Sequence, residues 1–329
     1  MRFALVAAVA ALSLAAPAAR AQEIGLSGGR TAVSGDDDGS YAWSIDFSQS
    51  LTRHWAWSIS HLNEGHLDGH HRDGFAAQAW LKLPLFDDRL WLAVGGGVYR
   101  HYDTQRGADG ASENVHGAAP IYGFAANYYL GGPWSARLSV QHVPTDGWRD
   151  TTVVLAGIGL RLGAHSWSAL PRPGRRMPGP ETGPARQELD LFVGSTTVNT
   201  FGSEKARARG IEFRHDVGRY AEWSITMLNE GSNELIRRNG LASQFWLVRP
   251  AWDGALRLGV GAGLYGNLDK RRLQADGETE GRRGLAGIVG ITAAVRLSGP
   301  WLARVTWTRI VTDYHRDADV YTLGAGVRF

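Results

Sequence analysis

The stretch LWLAVGGGVY, residues 90–99, alternates strictly between two kinds of position. One set consists of Leu90, Leu92, Val94, Gly96 and Val98, and the other of Trp91, Ala93, Gly95, Gly97 and Tyr99. A period of two is typical of a β-strand whose two faces meet different surroundings. The stretch therefore predicts a strand, and similar alternation elsewhere predicts an all-β chain.

The sequence repeats itself with an offset of 166 residues. WSISHLNEG at 57–65 returns as WSITMLNEG at 223–231, and VGGGVY at 94–99 returns as VGAGLY at 260–265. Further along, LGGPWSARLSV at 130–140 returns as LSGPWLARVTW at 297–307, one residue later. Such small drift over a whole half indicates an ordered duplication.

Each half predicts eight strands. In the first half they lie near 23–33, 40–49, 53–63, 74–84, 89–102, 117–130, 134–143 and 151–162, and the second half repeats them over about 188–329. Alternate connections are short, at 50–53, 86–89 and 131–133, whereas those starting at 34, 63, 103 and 144 are longer and polar. Short turns at one end and long hydrophilic loops at the other are typical of a transmembrane barrel.

Two segments are predicted to lie outside the repeats. Residues 1–21 combine an early arginine, an apolar run and a final Ala-Arg-Ala, the pattern of a cleaved signal peptide. Residues 163–186 contain five of the chain's 12 prolines, which predicts a periplasmic linker. The predicted domains are therefore the signal, a first repeat at 22–162, the linker and a second repeat at 187–329.

Composition excludes several function classes. The chain of 329 residues has no cysteine, so disulfide and thiolate chemistry are absent. Its net charge of +3 comes from the signal and the linker, which leaves the two repeats with a net charge of −2. A partner that must neutralise many phosphates, such as nucleic acid, is therefore not expected.

The mature sequence resembles Gram-negative outer-membrane β-barrel proteins. The signal, the alternating strands, the aromatics near strand ends and the last strand YTLGAGVRF, which ends in Phe329, carry the resemblance. It implies export through the periplasm to the outer membrane, with Phe329 in the insertion signal. The implied partners are the barrel-assembly machinery, outer-membrane lipid and lipopolysaccharide, and no cofactor is expected.

Sixteen strands can close in two ways. Two tandem eight-stranded up-and-down barrels are favoured by the Pro-rich linker and by small residues facing large ones on the inward faces. The alternative is one sixteen-stranded, porin-like barrel, which is wide enough for a water channel that conducts small solutes or polysaccharide.

Polar residues recur on the predicted inward faces of both halves. They are Asp46, Glu64, Gln78, Tyr99, Arg137 and Arg161, with the counterparts Glu212, Glu230, Gln244, Tyr265, Arg304 and Arg328. They form either a structural network of ion pairs and hydrogen bonds or the lining of a transport path. The repetition does not distinguish these interpretations.

Signals for catalysis or metal binding are weak. His66, His70 and His71 with Asp68 or Asp73 are candidate ligands, but the second half does not retain the histidines. A lipid A-modifying barrel is the enzymatic alternative, for which His61 and Glu64 are candidates, yet no nucleophile–base motif is present. The sequence favours a non-enzymatic envelope protein with a role in transport, export or surface interaction.

Overall fold

The chain divides into two compact units, each built around its own sheet. The computed structural model describes residues 22–35, 37–107, 110–145, 150–162, 187–218, 220–251, 254–269 and 282–329. The predicted signal at 1–21 and the predicted linker at 163–186 lie outside these residues. No helix in the described ranges is both long and apolar enough to cross a membrane.

Sixteen strands account for most of the described residues. The first unit contains β1 Gln22–Val33, β2 Gly39–Ser50, β3 Trp55–Leu67, β4 His70–Leu85, β5 Leu90–Arg106, β6 Ser112–Gly131, β7 Trp134–Val143 and β8 Thr151–Arg161. The second contains β9 Gln187–Val198, β10 Lys205–Gly218, β11 Ala221–Ser232, β12 Arg237–Ala251, β13 Leu256–Asp269, β14 Arg282–Ser298, β15 Trp301–Val311 and β16 Ala318–Arg328.

Both sheets are antiparallel and close on themselves. Within each sheet, strands that are neighbours in sequence pair with each other, and closure comes from β1 with β8 and from β16 with β9. The all-β antiparallel prediction is therefore confirmed. The sixteen-stranded alternative is wrong for this structure, because the first and last strands of each half satisfy one another's backbone groups.

The two faces of each strand meet different surroundings. Buried apolar side chains such as Leu62, Tyr99 and Ile121 in the first barrel, and Tyr265 and Ile288 in the second, form interior clusters. Exposed apolar side chains cover the outside, and they include Leu26, Leu81, Val94, Phe124, Leu138 and Ile158, and Leu189, Leu191, Val193, Leu241, Leu264 and Leu323. The barrels are thus apolar on the side where a soluble protein is polar.

Two hairpins extend further than the sequence predicts. The expected loop at 63–74 is mostly strand, with a turn at Asp68 and Gly69, and most of the expected loop at 103–116 continues β5 and β6. Polar cross-strand contacts stabilise these extensions. The rings of His66 and His71 lie 4.1 Å apart, and Asn114 donates to Thr104 at 3.0 Å.

Candidate functional site

A buried ion pair lies at the long-loop end of the first barrel, the end that carries the β1–β2, β3–β4, β5–β6 and β7–β8 connections. Arg72 donates from Nε and Nη2 to the two carboxylate oxygens of Glu64, at 2.9 and 2.7 Å. Thr151 accepts a further bond from Arg72 at 2.6 Å and donates to Glu64. The Glu64 side chain is 0% exposed and that of Arg72 4%. Charges so far from water are stable because they are paired and hydrogen-bonded.

The second barrel has the same pair in the same place. Arg238 donates to both oxygens of Glu230 at 2.6 Å, and also to the phenol of Tyr314 and the carbonyl of Arg316. Tyr314 and Arg316 lie in the segment between β15 and β16. Burial raises the pKa of Tyr314, which keeps its phenol protonated and able to donate. The long-loop segment is therefore tied to the barrel interior.

Sequence reasoning missed Arg72 and Arg238. Two signals were available. The two arginines differ by 166 residues, as the other repeated residues do, and each lies an even number of residues from an inward glutamine on the same strand, Gln78 or Gln244. Each arginine lies on the strand that follows its glutamate, across a β-bulge. Alternation alone predicts the face of the strand on which a residue lies. Which residues meet depends on the register between neighbouring strands, and the bulge shifts that register.

The residues flanking each glutamate build that bulge. Gly65 and Gly231 have φ values of 78° and 86°, and a Cβ on Gly65 would lie 2.1 Å from the carbonyl oxygen of Tyr41. The side chains of Asn63 and Asn229 accept a hydrogen bond from the backbone nitrogen of the glycine. The Asn-Glu-Gly segment thus bends the strand where the glutamate enters the lumen.

The short-turn end of the first barrel holds a second ionic cluster. Arg137 donates to Asp46 at 2.7 Å and lies 3.9 Å from Glu23. Glu23 accepts further hydrogen bonds from Asn127, Tyr129 and Ser135. Nearby, the Arg161 guanidinium stacks 3.5 Å from the centroid of the Tyr129 ring.

The short-turn end of the second barrel carries a denser network. Arg304 binds Glu188 and Asp190, and Arg214 binds Glu212 and Glu222. Further ion pairs connect Arg257 with Asp216 and Glu222, and Arg328 with Asp216 and Glu188. Arginines alternate with carboxylates, so the charges neutralise one another within the lumen.

Tryptophan side chains cross the middle of both lumens. Trp80 donates to Ser58 and Trp246 to Ser224, each at 2.9 Å. Gly95 makes room for the first ring, because a Cβ there would lie 2.4 Å from Trp80 Cε3. Gln78 donates to Gln141 at 3.0 Å beside Trp80, while Gln244, Tyr99 and Tyr265 are also buried in the two interiors.

Little space remains around these side chains. The first barrel contains a cavity of about 60 Å³ lined by serines and by the cluster around Arg137. The second contains one of about 30 Å³ beside Trp246 and Arg304. Volumes of this size hold a few water molecules.

The structure brings two of the weak metal candidates together but does not assemble the whole set. His66 stacks on His71, whereas His70 lies 3.1 Å from Asp103 and Asp73 is buried. In the described ranges, no group of three or more His, Asp or Glu side chains has an arrangement suited to a metal ion.

The enzymatic candidates lie on opposite faces of β3. His61 packs on the outer face between Trp43 and Phe75, with ring centroids 5.1 and 5.2 Å away, while Glu64 is in the interior. Phe329 is exposed, and its backbone pairs with that of Gln187 at the start of β9. Its role in membrane insertion stays a prediction.

No protein-family model and no curated protein sequence matches the chain. Among solved structures, the N-terminal β-barrel domain of Pseudomonas aeruginosa OprF has 12% identity and a TM-score of 0.36, covering 44% of this chain and 98% of that one. Ail, the attachment invasion locus protein of Yersinia pestis, has 13% identity and a TM-score of 0.33, covering 43% and 97%. Neisserial surface protein A has 8% identity and a TM-score of 0.33, covering 43% and 96%.

These neighbours are outer-membrane β-barrels, the class that the sequence resembles. Likenesses with identities below 15% and TM-scores below 0.4 carry no inference about function.

Proposed function

We propose that this chain is an integral outer-membrane protein whose two plugged barrels hold polar hairpins at the cell surface. Its role is then envelope interaction rather than diffusion of solutes. The observation that carries the proposal is an apolar exterior around an interior of paired charges. From the sequence alone, transport or export is favoured slightly over surface interaction, whereas the filled interiors favour surface interaction.

The exterior supports the membrane position. Outward side chains such as Leu191, Val193 and Leu323 are 60–66% exposed, which is costly in water and favourable in lipid. Closure of each sheet leaves no edge of unpaired backbone groups, as a hydrocarbon environment requires. Strands of 10 to 20 residues are long enough, since about 9–11 tilted residues cross the membrane core.

The interiors favour an anchor over an open pore. A selective channel leaves charged groups facing a continuous water path. Here Arg72, Arg137, Arg238 and Arg304 contact carboxylates of other strands, and the two cavities described above are small. Eight strands enclose an interior that side chains fill.

The unequal ends support presentation at the cell surface. In outer-membrane barrels the longer connections are extracellular and the short turns periplasmic. The extended β3–β4 and β5–β6 hairpins both project at the long-loop end. Their polar residues would therefore meet the surface layer or a partner outside the cell.

Cysteine labelling of intact cells tests this arrangement, because the natural chain has no cysteine. The variants Asp37→Cys and Asp313→Cys place thiols at the long-loop end, and Asp87→Cys and Ser298→Cys place them at the short-turn end. All four positions are exposed. A membrane-impermeant maleimide should label the first pair on whole cells and the second pair only after lysis. Labelling of the short-turn pair on whole cells, or no enrichment in outer membranes, contradicts the proposal.

A further inference from the structure

Three consecutive outward positions of β10 are cationic. Lys205, Arg207 and Arg209 are all exposed, and they alternate with Ala206, Ala208 and Gly210. Ala208 belongs to the interior cluster of the second barrel, which fixes the opposite parity as outward. Successive side chains on one face of a strand lie about 7 Å apart, so the three charges form a continuous strip.

The cationic strip, defined as Lys205, Arg207 and Arg209, begins where the apolar exterior ends. Arg209 lies opposite Val193 of β9, which in turn lies opposite Leu323 of β16. One row nearer the long loops, Arg207 is level with Tyr321 of β16, which is 53% exposed. The strip thus occupies the border between the lipid-facing surface and the long-loop end.

Neighbouring carboxylates are engaged elsewhere. Asp319, on the row of Lys205, accepts hydrogen bonds from Arg309 at 2.9 and 2.7 Å. Glu204 accepts a hydrogen bond from Thr200. No ion pair connects the three cations with another residue of the described ranges. Their charge is available to an external anion.

The first barrel shows that the fold does not require this strip. Trp43 pairs with Asn63 in β3, and Arg209 pairs with Asn229 in β11, so the two residues occupy equivalent places. The equivalents of Lys205 and Arg207 are Gly39 and Tyr41 by the same offset. At these equivalent positions, β2 of the first barrel has aromatic side chains and β10 of the second has cations.

We propose that the cationic strip binds the phosphate groups of lipopolysaccharide in the outer leaflet. The inference rests on the proposed function, because it requires the long-loop end to face that leaflet. Guanidinium groups bind phosphate oxygens in a bidentate manner, and long cationic side chains reach from an apolar border toward polar headgroups. The strip gives β10 of the second barrel a fixed contact with a phosphorylated glycolipid, and the equivalent positions of β2 in the first barrel carry no cation.

Binding of labelled lipopolysaccharide tests the proposal. Full-length protein in phosphatidylcholine nanodiscs is titrated with fluorescent lipopolysaccharide, and energy transfer from the barrel tryptophans reports binding. The triple variant Lys205→Ser, Arg207→Tyr, Arg209→Trp should bind about a hundredfold more weakly, since each of the three cations contributes roughly fivefold near an anionic lipid surface. The control variant Arg53→Ser, Arg89→Ser loses exposed cations at the short-turn end and should bind like wild type.

The reciprocal variant Tyr41→Arg, Trp43→Arg should add binding to the first barrel. Three results overturn the inference. The wild type and the triple variant bind lipopolysaccharide equally, or the wild type binds dephosphorylated lipopolysaccharide as tightly as the phosphorylated form. In the third, the triple substitution weakens binding to phosphatidylglycerol as much as it weakens binding to lipopolysaccharide. Heat-modifiable gel mobility and protease protection show separately whether each variant is inserted. Failure of wild type to insert contradicts the proposed function and removes the basis of the inference, whereas insertion without specific binding contradicts the inference alone.

Discussion

Arg72 and Glu64 are both withdrawn from water, so each charge depends on the other. Replacing Arg72 with Met leaves the Glu64 carboxylate buried without its counter-charge. We expect Arg72→Met to lower the free energy of unfolding by about 3–5 kcal/mol, measured by urea unfolding of protein inserted in lipid vesicles.

Arg53 provides the control. Its pair with Asp88 is 65% and 61% exposed, and exposed pairs contribute about 0–1 kcal/mol. Arg53→Met should therefore be almost neutral. Equal effects of the two substitutions would contradict the assignment of a buried network to the long-loop end.

The sequence predicts which of these side chains face inward, but not which of them contact one another. Alternation and repetition identify Glu64, Asp46 and Arg137 as inward candidates, and the structure places all three in the lumen. Which side chains meet depends on the register between strands. The bulge at Gly65 changes that register, but the hydrophobic alternation in the sequence does not reveal the bulge. For this reason the arginine partner of Glu64 was not predicted.

At the scale of the element, β5 shows how a single strand separates two environments. Gly95 faces Trp80, whereas Gly96 faces outward beside Tyr122. A Cβ added at Gly96 would lie 3.5 Å from Cδ1 of the Tyr122 ring. We expect Gly95→Val to prevent folding of the first barrel, because the new side chain would overlap the Trp80 ring. Gly96→Val should fold, since an added Cβ there meets only the Tyr122 ring and the Ile121 carbonyl oxygen, both at ordinary van der Waals distances.

Heat-modifiable gel mobility after refolding measures this difference. If the Gly95→Val variant folds and the Gly96→Val variant does not, the inner and outer faces of β5 are the opposite of those described above. That result would contradict the barrel orientation for the whole first unit.

The hairpins mark the limit of prediction for elements. Strands in the apolar region agree with the sequence pattern to within a few residues, because hydrophobic alternation is strong there. Beyond that region, residues 64–66 and 103–106 have no apolar side chains, so alternation gives no signal. Cross-strand contacts such as His70 with Asp103, which are distant in sequence, extend these strands.

At the scale of the whole molecule, closure of each sheet predicts independent folding. Segments 22–162 and 187–329 each contain all eight strands of one barrel. We expect each segment to refold separately in detergent and to show heat-modifiable mobility. Failure of both segments, when the full chain refolds under the same conditions, would contradict two self-contained barrels.

The proposed function requires that two filled barrels anchor the chain without forming a pore. Conductance of the refolded full-length protein in a planar bilayer tests it most directly, once insertion has been verified by protease protection. We expect no stable unit currents, because ion pairs and tryptophans occupy both lumens. Long-lived, ohmic current steps from the inserted wild-type protein would contradict it.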